Sequence, residues 1–173
     1  LLSLVGGLFV ILATGCETTE DTKVASAQAC LDTARSAADA SACVAKVDGI
    51  DTAQASLIRC GGIYMQRGFL TARWTQVFNE VNNKTATGDP VLRMMTYIGF
   101  DGGSTPNSVT GYAATADATR VLDECKKSGS GGMAYLSVAT NIATSLYNLV
   151  GVTAGTTPSL AQVQAQLTNL DNT

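Results

Sequence analysis

The chain has 173 residues, 46% of them hydrophobic and 14% charged, with a formal net charge of −3 at pH 7. That length suits one domain with a sizeable core. The mildly acidic balance lacks a basic cluster, which argues against nucleic acid as a partner.

Residues 1 to 15 carry no charge and are dominated by Leu, Val, Ile and Phe. A membrane span needs about 20 such residues and the apolar core of a signal peptide about 7–15, so the length predicts a signal peptide. No basic segment precedes the run, so the signal is expected to begin before Leu1. Ala13, Thr14 and Gly15 then lead into Cys16. This resembles the lipobox of bacterial lipoproteins, a small-residue triplet before the cysteine that is acylated. It departs from that pattern where Ala13 stands in the place of the usual Leu, with Leu12 one position earlier.

The resemblance implies that Cys16 becomes the mature amino terminus, bearing a diacylglyceryl group and an N-acyl chain. Each buried methylene contributes about 0.8 kcal/mol, so two or more chains hold a protein stably where one is marginal. The competing reading is an ordinary secretory signal followed by a cysteine that forms a disulfide. Glu17 follows Cys16, not the Asp that resembles an inner-membrane retention signal, so the same resemblance favours the outer membrane. The expected organisation is a signal over 1–15, an acylated cysteine and acidic tether over 16–23, and one helical domain over 24–173. Scarce charge with abundant Ala, Thr, Ser and Gly fits an exported bacterial protein.

Besides Cys16 the chain holds Cys30, Cys43, Cys60 and Cys125, an even number suited to an oxidising compartment. Their spacings of 13, 17 and 65 contain no CxxC pair, and histidine is absent, so two disulfides are expected and no metal or cofactor. Four cysteines allow three connectivities.

In chain order, Val24, Ala27, Cys30, Leu31 and Ala34 recur at helical spacing over 24–37, and 38–47 reads as a second short helix. Asp51 with Gln54 forms the pattern of a capping box opening a third helix, with Leu57, Ile58, Gly61, Tyr64 and Met65 on its apolar face. Arg67 near its carboxyl end and Gly68 as a left-handed C-cap close it. Trp74, Val77, Phe78 and Val81 share a face of the next helix. Asp89 as cap and Pro90 in the first turn start another, in which Leu92, Met95 and Tyr97 to Phe100 supply buried bulk.

Residues 101–111 read as a loop, 113–127 as a helix, and "SGSGG" at 128–132 as a linker. A long helix over 133–151 carries Leu136, Ala139, Ile142, Leu146 and Leu149 or Val150. A final one places Leu160, Val163, Leu167 and Leu170 on one stripe. No alternating pattern predicts a strand. The expected fold is an all-α domain of about six to eight helices with two disulfides.

If 24–36 and 39–47 form an antiparallel hairpin turning near Ala37, Cys30 and Cys43 lie at equal height, about 10 Å from the turn. The small neighbours Ala27, Ala34, Ala40 and Ala42 let the axes approach closely. This selects Cys30–Cys43 and leaves Cys60–Cys125.

The segment 133–153 is apolar, but Ser137, Asn141 and Asn148 interrupt it, which predicts a core helix and not a span. "GSGG" lacks the GK[ST] and preceding strand of a phosphate loop. "DGGS" lacks the acid order of a calcium loop. The acid pairs Asp48 with Asp51 and Asp123 with Glu124 are accounted for by capping and surface charge, and no SxxK occurs. No catalytic residue is identified, and an enzyme is not expected.

Short Ala-rich segments at 13–17-residue intervals are weakly similar to helical-repeat hairpins such as tetratricopeptide units, without that family's Pro and Trp–Leu–Gly–Tyr pattern. Two function classes remain. The first is a non-catalytic lipid-anchored envelope protein that binds or braces a membrane or periplasmic protein. The second is a binding protein for a small apolar ligand, held in a cavity lined by Met65, Met94, Met95, Trp74 and Phe78.

Overall fold

The structure, a computed structural model, describes residues 18–83, 90–102 and 108–151, with residues 161, 162, 164, 165 and 168 of the C-terminal segment. Cys16, the signal segment, the Asp89 cap and the stripe Leu160, Val163, Leu167 and Leu170 lie outside the described residues. Over the main described stretches the chain forms α1 (Thr19–Thr33), α2 (Ala37–Ala45), α3 (Ala53–Gln66), α4 (Thr71–Asn82), α5 (Pro90–Ile98), α6 (Val109–Lys127) and α7 (Gly131–Val150). No strand occurs among the described residues, and the domain is all-α as expected.

α1 begins five residues before the expected start, so most of the anticipated tether is helix. The cause is local. Thr18 Oγ1 accepts from Asp21 N at 3.1 Å, and the Asp21 carboxylate accepts from Thr18 N at 3.1 Å, satisfying two end donors at once. Those bonds also hold the Asp21 carboxyl below its ordinary range.

Ser36 then caps α2 through Asp39 N at 3.1 Å, so only Ala34 to Ser36 separate the first two helices. The expected hairpin results, with Ala27 and Ala40 buried and Cys30–Cys43 bonded at a Cα separation of 5.4 Å. At α3 the cap falls on Thr52, whose hydroxyl accepts from Ala55 N at 3.2 Å, and not on Asp51. A Cβ at Gly62 would overlap Val44, so α2 and α3 meet at backbone distance. Gly68, at φ +83°, ends the helix in the left-handed region as expected.

A ladder of contacts fastens α3 to α6. Arg59 Nε donates to Glu124 Oε2 at 2.9 Å, and the same guanidinium donates to the carbonyls of Val47 and Ile50 at 3.1 and 3.0 Å. Beside it Cys60–Cys125 is bonded at a Cα separation of 5.1 Å. Two turns on, Arg67 Nε donates to Asp117 Oδ2 at 2.7 Å, so it reaches a neighbouring helix and does not cap its own. α6 itself starts at Val109, four residues early, because Ser108 Oγ accepts from Gly111 N at 3.0 Å.

α4 and α5 cap one another. Arg73 of α4 donates to the carbonyls of Tyr97 and Gly99 at 3.3 and 2.9 Å, at the carboxyl end of α5. Arg93 of α5 donates to the carbonyls of Glu80 and Asn83 at 3.2 and 3.1 Å, at the carboxyl end of α4. Each arginine meets carbonyls at a helix end, where intrahelical donors run out.

α7 departs most from expectation. Its buried arc carries Ser137, Thr140, Thr144, Tyr147 and Asn148, with Leu136 and Ala139 on the flank. Ile142, expected in the core, is 53% exposed beside Tyr135 at 65% and Val138 at 39%. The hydroxyls tolerate burial because each bonds to its own helix: Ser137 to Ala134 O at 2.7 Å, Thr140 to Leu136 O at 3.0 Å and Thr144 to Thr140 O at 2.7 Å. They serve neighbours as well, since Thr144 Oγ1 accepts from Phe100 N at 2.8 Å and Thr140 Oγ1 shares a 2.9 Å bond with Tyr64. Small inward side chains admit close neighbours, so Gly99 packs against the Tyr147 ring and Gly111 against Asn148. Among the described residues no helix is long and apolar enough to cross a membrane.

Candidate functional site

Five aromatic side chains converge where α3 hands over to α4. Tyr64, Phe69, Trp74 and Phe100 have ring centroids 5.2–5.8 Å apart in edge-on and tilted pairs. These are the geometries that the ring quadrupole favours. Tyr64, Phe69 and Phe100 are buried, and burial pushes the Tyr64 phenol up to about 12 against the opposing bond from Thr140. Arg73 lies over Phe69 with its guanidinium carbon 4.1 Å from the ring centroid. Burial lowers its pKa, and the nearby Asp101 carboxylate opposes that shift.

The fifth ring breaks the pattern. Phe78 stacks on Trp74 at 6.2 Å and is 59% exposed, although its spacing placed it on the inner face with Val77. Val77 takes the core position and Phe78 stands one step round the helix. A wide aromatic step therefore runs from the buried Phe69 through half-buried Trp74 to solvent.

Two open grooves flank the first turn of α4. One, of about 410 Å³, is walled by Leu31, Met65, Phe69 and Trp74, with Asp32 and Arg35 at its rim. The other, of about 470 Å³, holds Arg73, Gln76, Tyr97 and Asp101, and the two share Leu70 and Ala72. The five residues expected to enclose a ligand are only partly brought together. Met65 and Trp74 wall the first groove, Met94 and Met95 pack against the aromatic core beneath, and Phe78 stands outside on Trp74.

Neither Phe69 nor Phe100 stood out in sequence as a member of this cluster, because both sit outside helices and lack a periodic partner. The arginine caps were equally silent, their partners lying 10 to 26 residues away. Among the described residues no three His, Cys, Asp or Glu side chains stand together as a metal site. No protein-family model, curated protein or solved structure matches the chain.

Proposed function

We propose that this is a non-catalytic, lipid-anchored protein of the bacterial envelope that binds or braces another membrane or periplasmic protein through the aromatic step on α4. The observation that carries the reading is Phe78, a large ring 59% exposed and stacked on Trp74 beside an open groove. Exposed aromatic side chains next to a semi-open apolar groove are the kind of anchor on which protein interfaces concentrate their binding energy. Support for the compartment comes from Ala13-Thr14-Gly15-Cys16 and from two disulfides, which persist in an oxidising space. Glu17 favours the outer membrane. α1 is capped two residues after Cys16 and runs 15 residues, about 22 Å, to the end that carries Leu31 and the groove. A short rigid strut of that kind would present the groove away from the bilayer.

Two measurements test this. Cys16→Ser in the full precursor should abolish fatty-acid labelling and release the protein to the soluble fraction; unchanged membrane retention rejects the anchor. A photo-crosslinking residue in place of Phe78 should join one discrete envelope protein, and Phe78→Ser should lose it from detergent-solubilised pull-downs. Identical partners with and without Phe78 reject the interface.

The groove walled by Leu31, Met65, Phe69 and Trp74 supports a second reading, a small apolar ligand, since its 410 Å³ lies within the usual range for ligand sites. Trp74 is the only tryptophan in the chain, so its fluorescence reports directly on occupancy.

A further inference from the structure

The domain shows a second exposed apolar surface, distinct from the aromatic step. On α7, Tyr135, Val138 and Ile142 are exposed, continued by exposed Gly131 and Ser145 and half-buried Leu149. Spacings of four, three, four, three and four residues make them one stripe along the helix. Its flanks are occupied. Asn141 donates to Thr119 of α6 at 3.3 Å on one side, and half-buried Ala139 and Leu146 pack inward on the other. We propose that the stripe is a contact with a second copy of this chain, α7 against α7 in antiparallel register about a twofold axis at the level of Thr140.

Size is the first argument for that occupant. A twofold contact is isologous, so each residue faces the one that lies as far beyond Thr140 as it lies before it. Val138 then faces Ile142 of the other copy, Tyr135 faces Ser145, and Leu149 faces Gly131. The tyrosine ring meets a small side chain and the leucine meets a glycine, so the two stripes interlock without bulky groups colliding. A parallel pairing would set Tyr135 against Tyr135 and Gly131 against Gly131.

Charge is the second. No charged residue occurs from Ser128 to Val150, so the contact desolvates no charge. Antiparallel helices also bring opposite dipole ends together. The lack of Lys and Arg along α7 argues against the bilayer as occupant, because helices that lie on anionic lipid use those residues beside their apolar face. From Gly131 to Leu149 the helix rises about 27 Å, and a strip about 10 Å wide offers on the order of 300 Å² per copy. A standard interface takes about 800 Å² per partner, so the contact is weak and exchanging, and trapping reads it better than co-purification. The inference rests on neither acylation nor the aromatic step.

Photo-crosslinking in cells tests it, with the intact chain carrying benzoylphenylalanine in place of Ser145 and co-expressed with a differently tagged copy. The probe should join the tagged copy within residues 131–138. A probe in place of the exposed Gln28 on α1 should do so several-fold less. Ile142→Glu in the probe-bearing copy should cut the adduct several-fold while peptide mapping still finds both disulfides, which controls for misfolding. Val138→Lys in the tagged copy should then restore it, because those two positions face one another. Failure of the paired charges to restore the adduct overturns the proposal. So do adducts to 142–149 of the second copy, adducts only to another protein or to lipid, and the absence of any adduct between chains.

Discussion

The N-terminal hairpin and the C-terminal helices pack by different means. Between α1 and α2 the contact is made by alanines and by a disulfide spanning 13 residues, and all of it follows from one short turn. Between α3, α5, α6 and α7 the contact is made by hydroxyls, glycines, arginines and a disulfide spanning 65 residues. In the first region a residue's burial can be read from its neighbours in sequence. In the second it depends on a group dozens of positions away. Thr144 is buried because Phe100 donates to it, and Gly111 is glycine because Asn148 occupies the space of a side chain.

The largest expected effect sets one bridge against the other. Cys60→Ala with Cys125→Ala should cost on the order of 4 kcal/mol, and Cys30→Ala with Cys43→Ala about 3, because the longer loop gains more freedom when unfolded. Urea unfolding of the signal-free domain measures both. The reverse order would show that the hairpin, and not the α3–α6 ladder, is the mechanical centre of the domain.

Glycine substitutions sharpen the same contrast. Gly111→Val drives a side chain into Asn148 and should cost about 1–3 kcal/mol. A Cβ at Gly61 on α3 meets nothing within 4 Å, so Gly61→Ala should stabilise by up to about 1 kcal/mol through helix propensity. Thermal denaturation of the two variants should move in opposite directions.

A swap that is nearly isosteric probes the hydroxyl-lined core. Thr144→Val removes the acceptor for Phe100 N in a buried site and should cost about 1–3 kcal/mol. In the N-terminal core, Ile58→Val should cost about 0.5–1.5 kcal/mol. If Thr144→Val were neutral, the inward hydroxyls would be a consequence of size alone.

The smallest effect at neutral pH is electrostatic. Tyr64 is neutral when folded, and burial raises its pKa from 10.0 to about 12. Its contribution is therefore complete below pH 10 and is lost as the pH rises through about 12. Tyr147 is pushed up in the same direction by burial. An absorbance titration should show the Tyr64 and Tyr147 phenols ionising above the ordinary tyrosine range. Ionisation of Tyr64 near its ordinary value of 10.0 would mean that the aromatic cluster opens first.

Much of the architecture was legible in the chain, and the legible part is local. The all-α class, the hairpin, its Cys30–Cys43 bridge and the Gly68 stop all arise from residues no more than 13 positions apart. Cys60–Cys125 followed by elimination once the hairpin had used two cysteines. Even the local misreadings were small. The cap moved from Asp51 to Thr52, and α1 and α6 began four or five residues early, since Thr18 and Ser108 provided caps that apolar periodicity does not register.

What the tertiary structure alone decided is which face of a helix points inward, and hence the candidate site. Apolar spacing directed Ile142 and Phe78 to the core, yet both are exposed. On α7 the threonine hydroxyls satisfy themselves within the helix, so their burial carries little penalty, and small side chains admit Tyr64, Phe100 and Gly111 at close range. That advantage exists only when three other helices are already in place. Periodicity records the hydrophobicity of a residue, but not the shape of the neighbour that will meet it. For the same reason the step from Phe69 through Trp74 to Phe78 could be seen only after the chain had folded.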